Sequence, residues 1–431
     1  MITLTTEFLD EQWRQLIEGG DLRITLSEWD DGDAYTEASL GPLSGKRAFA
    51  VLVLEERVVP DIAIIIRFRK VGEQDREFSY AAPDGARYTA VAERRRSGVV
   101  ETQELVIQSL RTSLDSRRKG LLESDLLRQR VVAIVGVGTG GVHVAIELAK
   151  AGVGSFSLVD DDRLEIGNIC RHHAGISFVG RRKVFATRDL IHETNPLAKV
   201  EVYPFRADEA HREELERVIR KADLVVCATD SRPSKLFVNA LCVQSGRTVV
   251  FGGAFRRAYG GQILRVRPNK SACYHCFVLA MPDTEADHEV SSQEDAAAIA
   301  YSDRPVAVEP GLSIDVAPIA TMVSKLVLQE LILGETSTLE ILKKDLDAGW
   351  YLWINRPEPG TKYASMPPLS ESSDEMTILR WYGIYLDQEP GCPTCGDFIK
   401  SLRVQYGLNG ANRNEPEVRP FPDANAGSEE N

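Results

Sequence analysis

Between Arg130 and Gly252 short apolar runs alternate with longer segments whose apolar positions recur at helical spacing. Arg130–Val135, Ser155–Val159, Lys199–Tyr203, Asp223–Cys227 and Thr248–Gly252 are brief and rich in β-branched residues, which predicts buried strands. Val142–Ala151, a segment opening at Val179–Val184 and running to about Glu193, Asp208–Ala222 and Lys235–Gln244 predict the intervening helices, and Asn195-Pro196 stops the second of them. Strict strand–helix alternation predicts an α/β fold with a mostly parallel sheet covered by helices. Gln262–Val266 continues the sheet, Leu312–Gly334 predicts a long apolar helix packed on it, and Trp350–Ile354 predicts a late strand.

The flanks read differently. Thr6–Glu18 predicts an amphipathic helix, and Asp21–Leu26, Ala48–Leu54 and Asp61–Phe68 carry strand-like runs punctuated by acids, Pro and Gly. These predict a separate N-terminal α/β domain over residues 1–115, read as a docking, dimerisation or partner-recognition module. No cysteine precedes position 170 and all seven histidines lie beyond 140, which excludes a metalloprotease or cysteine-nucleophile site there. Glu101–Gln129 is polar and mostly helical in pattern, a connecting helix that contains Arg117-Arg118-Lys119. An arginine supplied to a phosphate site is the other use open to that cluster. Asp283–Asp303 reads as an exposed loop or crossover. The main α/β domain is therefore expected over residues 116–406, and 407–431, rich in Asn, Glu and Pro, is expected to be disordered.

Composition narrows the partners. A net charge of −13 argues against nucleic acid or a membrane surface as the main partner. No apolar stretch reaches the roughly 18 residues a transmembrane helix needs. The acidic opening MITLTTEFLDEQWRQL lacks a basic region followed by an apolar core, so it does not read as a signal peptide, and a cytoplasmic protein is expected.

Two features carry chemistry. Gly136, Gly138 and Gly141, with Gly140 between, form a G-x-G-x-x-G turn directly after a predicted strand and before a helix, and the next strand ends at Asp160. Glycines let the backbone approach a phosphate, the helix N-terminus offers N–H groups and a positive dipole end, and the acid suits a ribose hydroxyl. The second feature is a pair of C-x-x-C motifs, Cys273/Cys276 and Cys392/Cys395. Together they can complete a closed tetrahedral four-cysteine zinc site, structural because no position is left open for substrate. His275 lies between ligands as a bystander. Cys227 and Cys242 fall in a strand and an apolar helix and read as buried and inert.

The glycine turn, Val159-Asp160-Asp161-Asp162, Asn168-x-x-Arg171, Gly180-x-x-Lys183, Thr229-Asp230 and the paired C-x-x-C motifs, taken in order, resemble the ThiF/MoeB/E1 adenylation superfamily over roughly residues 125–400. The resemblance implies a Rossmann-like adenylation domain that activates, with ATP and Mg2+, the C-terminus of a ubiquitin-like or sulfur-carrier protein. It also implies site roles. Arg171 and Lys183 would hold the triphosphate, Asn168 would donate a hydrogen bond, Asp230 would bind Mg2+, Asp160 the ribose, and Asp162 would sit near the reacting phosphates or the carrier tail. A homodimer is implied, with Arg117 or Arg118 reaching the partner's site, although the spacing to the glycine turn is shorter than usual. The N-terminal domain and SIDVAPIA…LVLQEL are similar to the E1-like proteins of bacterial ubiquitin-like conjugation operons, some of them in phage defence.

The chain also departs from the family pattern. Thr139 takes a glycine position of the usual turn. Cys170 stands where asparagine is common, as a simple replacement or as a reactive thiol beside Arg171. Residues 277–391 contain no cysteine, so adenylation without a thioester at the usual place is expected, with transfer directly to a partner thiol such as that of an E2-like protein. Peptide adenylation as in MccB-like enzymes, an NAD-dependent oxidoreductase and a non-catalytic E1-like scaffold are the competing readings.

Overall fold

The computed structural model describes residues 114–118, 124–281, 311–334, 346–369 and 375–405, together with nine strands upstream of these. The chain divides into two compact units, Met1–Arg118 and Lys119–Asn431.

In the first unit the strands are β1 (Ile2–Thr5), β2 (Leu22–Ile24), β3 (Ser27–Glu28), β4 (Ala34–Tyr35), β5 (Val51–Leu52), β6 (Ile64–Val71), β7 (Tyr80–Ala81), β8 (Arg87–Arg96) and β9 (Val99–Gln108). Seven of them form one sheet in the order β2-β6-β8-β9-β1-β5, with β7 beside β8, while β3 pairs with β4. The longest strands are β8 and β9, antiparallel with Arg96 opposite Val99. This corrects the helical reading of Glu101–Gln129. Val99–Gln108 is a strand, because VVETQELVIQ is β-branched and finds a ten-residue partner immediately before it in sequence. Among the described residues of that stretch, Leu114 and Asp115 are helical, and so is Ser124–Gln129, helix α1. The helix expected at Thr6–Glu18, the loop at Asp283–Asp303 and the tail at 407–431 lie outside the described residues.

The second unit holds β10 (Val131–Val135), α2 (Thr139–Ala151), β11 (Ser155–Val159), α3 (Lys183–Thr194), β12 (Lys199–Tyr203), α4 (Arg212–Lys221), β13 (Leu224–Cys227), α5 (Arg232–Ser245) and β14 (Val249–Ala254). There follow β15 (Gly260–Val266), α6 (Tyr274–Ala280), α7 (Ser313–Leu331), β16 (Trp350–Ile354), β17 (Trp381–Ile384) and α8 (Asp397–Gln405). The eight strands form one sheet in the order β12-β11-β10-β13-β14-β15-β16-β17. The first five are parallel, and β15 to β17 extend the sheet in antiparallel fashion. This is the mostly parallel sheet expected from the alternation, and it has the Rossmann-like form that the resemblance implies.

Side-chain alternation along the central strands explains the two helical layers. Val132 and Ile134 of β10 with Leu224 and Val226 of β13 join one apolar cluster, completed by α2, α3 and α7. Ala133 and Val135 with Val225 and Cys227 join the opposite cluster, completed by α4, α5 and the cysteines of the C-x-x-C motifs. Both faces are covered, so these strands are apolar at every position. Helix α7 is pinned to β15 by a buried ionic cluster in which Glu330, 5% exposed, pairs with Arg265 at 3.2 Å and with Arg267 at 2.5 Å.

Strand order reverses at β10, whose neighbours β11 and β13 are reached by connections running in opposite directions. Such a reversal leaves a crevice at the carboxyl ends of the strands. The glycine turn follows β10, Asp160 follows β11, and Ala228-Thr229-Asp230 follow β13. Three segments that sequence places far apart therefore meet at one place.

Candidate nucleotide site and metal centre

The glycine turn is shaped by backbone proximity. Gly136 has φ +89, and a Cβ there would meet the Ala228 carbonyl carbon at 2.8 Å. A Cβ on Gly141 would lie 1.9 Å from the Gly136 carbonyl oxygen. These two positions need glycine for the fold itself. At Gly138 a Cβ would meet nothing within 4 Å, so the space over that backbone is open.

The turn forms the floor of a cleft of about 510 Å3. Gly136, Gly138 and Gly140 line it, and so do Asp160, Asp162, Asn168, Arg171, Lys183 and Asp230. Gly141 lies beneath, against Gly136. Asp160 accepts the Val137 N–H on Oδ2 and the Asp162 N–H on Oδ1, each at 2.8 Å, so one carboxylate ties the glycine turn to the acidic loop. Burial pushes this carboxyl above its ordinary value, against the pull of Lys183 and of the two backbone N–H groups. Lys183 opens α3 and donates to Asp162 Oδ2 at 2.8 Å, with its side chain 13% exposed and that of Asp162 63% exposed. Asn168 accepts the Glu165 N–H at 3.0 Å, which fixes the turn that presents Arg171. Gly311 lies beside Arg171, where a Cβ would stand 3.8 Å from the guanidinium Nη1. Asp230 is exposed at the cleft, one residue before Ser231, whose hydroxyl caps α5 by accepting the Ser234 N–H at 3.3 Å.

Other predicted residues fall elsewhere. Cys170 is exposed and donates to the Gly167 carbonyl at 3.3 Å. It is not part of the cleft lining. Arg117 is exposed and Arg118 pairs with Asp115; both belong to the first unit. Asp160, Asp161 and Asp162 form a compact carboxylate group, and Asp230 is not part of it.

Sequence reasoning missed three contributors. His172, 7% exposed, joins its ring Nε2 to the Val137 carbonyl at 3.2 Å, while its Nδ1 accepts the Ala174 N–H at 3.0 Å. Accepting at Nδ1 fixes the neutral ring with its proton on Nε2. Burial pushes the imidazole down to about 4. Lys235, 2% exposed, lines the cleft from α5. The third is the α7 face of Val316, Ile319, Ala320 and Val323, an apolar wall beside the glycine turn, where a Gly140 Cβ would stand 4.0 Å from Val316 Cγ1. The sequence offers only a weak signal for Lys235: Lys235, Val238, Asn239 and Cys242 share one helical face, so a lysine and an asparagine stand on an apolar stripe, and the sequence itself does not name what they meet.

The four cysteines of the C-x-x-C motifs gather although Cys273 and Cys392 are 119 residues apart. Their sulfurs lie within 4.8 Å of one another, and Cys276 Sγ and Cys395 Sγ are 3.3 Å apart. N–H groups point at them: Glu389 N–H donates to Cys276 and Thr394 N–H to Cys392, each at 3.4 Å, and Asn239 Nδ2 donates to Cys273 at 3.5 Å. Hydrogen bonds from Cys273 and Cys395 hold the Cys276 thiol well below its usual range. Four buried sulfurs with donors aimed at them suit a thiolate-bound cation, and zinc fits this donor set. His275 bonds Thr394 Oγ1 at 3.0 Å, consistent with a bystander. Cys227 and Cys242 are buried, and burial raises the Cys242 thiol.

Known proteins can be set beside this geometry. Ubiquitin-like modifier-activating enzyme 5 of Caenorhabditis elegans is 31% identical over 169 residues, 37% of this chain and 40% of that protein. The sulfur carrier protein adenylyltransferase of Thermus thermophilus is 33% identical over 157 residues, 35% of this chain and 56% of that protein. The chain thus spans little more than half the length of these curated relatives at most. Among solved structures, E. coli MccB with ATP aligns at 20% identity with a TM-score of 0.44, over 63% of this chain and 68% of that one. Residues 114–340, more than half of the chain, match the ThiF family, and the protein belongs to it.

Proposed function

We propose that this protein adenylates the C-terminal carboxylate of a small ubiquitin-like or sulfur-carrier protein. A carboxylate oxygen attacks the α-phosphorus of ATP, the bond to the β,γ-phosphates breaks, and acyl-AMP and pyrophosphate result. The acyl group then passes to a partner thiol, such as an E2-like cysteine, releasing AMP. The observation that carries this reading is the meeting of Arg171, Lys183, Asp160 and Asp230 around one glycine-lined cleft. Adenylation brings two anions together, so the site must supply positive charge and fixed donors where charge develops. Arg171 and Lys183 supply the charge, and the open backbone at Gly138 lets a phosphate approach. Asp160, already fixed by two N–H groups, is placed to accept from ribose hydroxyls. Asp230 offers a hard oxygen to Mg2+, which would neutralise phosphate charge when bound.

The relatives named for modifier activation and for sulfur-carrier adenylation support the choice of a carrier protein as substrate. Residues 1–115 are assigned to docking or dimerisation, and Arg117 and Arg118 are the arginines a dimer would offer across its interface. Cys170, two residues after Asn168 in sequence, is the one exposed thiol among the described residues and the candidate within this chain for acyl transfer.

ATP–pyrophosphate exchange tests the reading. Purified protein with Mg2+ is assayed with and without the small ubiquitin-like product of a neighbouring gene, and with Asp230→Ala as control. Exchange that requires both the small protein and Asp230 is expected. Tight ATP binding without exchange for any such protein favours a scaffold, and NAD binding without ATP binding ends the adenylation reading.

A further inference from the structure

Helix α5 serves two places at once, and one buried face joins them. Its first turn belongs to the nucleotide cleft through Ser231, Ser234 and Lys235, directly after Asp230. One turn further, Asn239 is completely buried and uses both ends of its amide on the metal-binding turn. Its Oδ1 accepts the Tyr274 N–H at 2.9 Å, and its Nδ2 donates to Cys273 Sγ at 3.5 Å. Tyr274 stands between the two. Its ring centre is 5.9 Å from Lys235 Nζ and stacks on Phe251 at 4.8 Å. Phe251 immediately precedes Gly252 and Gly253, which also line the cleft. The space left among Lys235, Phe251, Gly252 and Tyr274 is only about 10 Å3. That is about the smallest volume that takes one water, so a movement of Tyr274 passes to its neighbours rather than into free space.

We propose that Asn239 and Lys235 are positioning residues that couple the four-cysteine centre to the nucleotide cleft. This rests on the nucleotide reading above. A metal ion held by the four thiolates fixes Cys273 and with it the Tyr274 backbone. Asn239 can satisfy Cys273 and Tyr274 together in one orientation only, which sets the register of α5. Tyr274 then sets where the Lys235 ammonium and the Phe251–Gly253 segment sit. Two sites joined in this way share a coupling free energy, and the coupling is reciprocal: metal tightens nucleotide and nucleotide tightens metal by the same factor.

The test reads that reciprocity in binding. Zinc affinity of the full-length protein is measured by competition with a chelator, with and without saturating Mg2+-loaded α,β-methylene-ATP. Nucleotide affinity is measured on zinc-loaded and zinc-depleted protein. Zinc is expected to bind at least about fivefold more tightly when nucleotide is present. In Lys235→Met nucleotide affinity itself is expected to fall, because Lys235 lines the cleft; at analogue concentrations that still saturate the variant, and likewise in Asn239→Ala, the zinc shift is expected to collapse toward one. Lys235→Met keeps every metal ligand and Asn239, so it decides the matter even where Asn239→Ala does not fold. Equal zinc affinities in a wild-type protein that does bind the analogue overturn the coupling. A full shift retained in Lys235→Met removes α5 as its path. A zinc-loaded wild type that binds no nucleotide overturns the nucleotide reading itself, and the coupling with it.

Discussion

His172 shows how one side chain can make the cleft depend on pH. Its ring bridges the Val137 carbonyl of the glycine turn and the Ala174 N–H, and it is held neutral at about 4 instead of 6.5. The sign follows from linkage. As pH falls below 6.5 the unfolded chain takes up a proton that the folded ring refuses until about 4, so stability is intact above 6.5 and declines between those values. The loss levels off below pH 4 at roughly 3 kcal/mol. Urea unfolding at pH 7 and at pH 4.5 should show it, and His172→Gln, which keeps an N–H for Val137, should flatten the difference. An equal pH dependence in the variant removes His172 as its source. Lys183 makes a different point. Its ion pair with the exposed Asp162 adds little stability, roughly 0–1 kcal/mol. Lys183→Met should therefore leave the melting temperature within a few degrees of wild type while pyrophosphate exchange falls by about a hundredfold or more. A variant that exchanges normally would mean that Lys183 only braces the acidic loop.

At the scale of elements, the glycine turn separates folding from binding within six residues. Gly141→Ala must push a methyl group against the Gly136 carbonyl at 1.9 Å, and Gly136→Ala against Ala228 at 2.8 Å in a left-handed conformation. Each should cost several kcal/mol or leave the protein insoluble. Gly138→Ala meets nothing in the protein and should melt like wild type, yet its methyl occupies the space a phosphate needs. Its nucleotide affinity, measured by calorimetry, is expected to fall about tenfold or more, and unchanged affinity would place the phosphates elsewhere. This turn was legible in the sequence because strand, glycines and helix are contiguous, and the predicted β12 (Lys199–Tyr203) and β16 (Trp350–Ile354) match the structure at both ends for the same local reason. Strand β9 was not legible. VVETQELVIQ carries acids and glutamines at positions that fit a helix as well as a strand, and its conformation is decided by β8 and by the parallel pairing with β1, nearly a hundred residues away. Lys235 and Asn239 were missed for a related reason: polar residues in an apolar helix gain meaning only when the C-x-x-C turn arrives beside them.

For the molecule as a whole, the decisive long-range closure is the four-cysteine centre. The first C-x-x-C pair follows β15, the antiparallel strand next to the parallel core, and the second lies beyond β17 at the far end of the sheet. Cys276 and Cys395, brought to 3.3 Å, close the loop that contains α7, a wall of the cleft, and the last two strands of the sheet, β16 and β17. Closing a loop of that length by a cross-link removes several kcal/mol of chain entropy from the unfolded state. Structural zinc sites contribute binding free energy directly to folding. Cys392→Ser with Cys395→Ser changes no residue of the parallel strands or of the helices α2 to α5 that cover them. The expected result is a protein that keeps most of its far-UV circular dichroism, holds less than one zinc per chain by metal analysis, and unfolds at a distinctly lower temperature. Because α7 and the C-terminal strands are tied by that closure, limited proteolysis should cut the variant first beyond β15, while Arg130–Ala254 stays protected. Unaltered zinc content would place the metal elsewhere. Unaltered stability with zinc lost would mean that the buried Glu330–Arg265–Arg267 cluster and the α7 packing already hold this half of the fold without the metal.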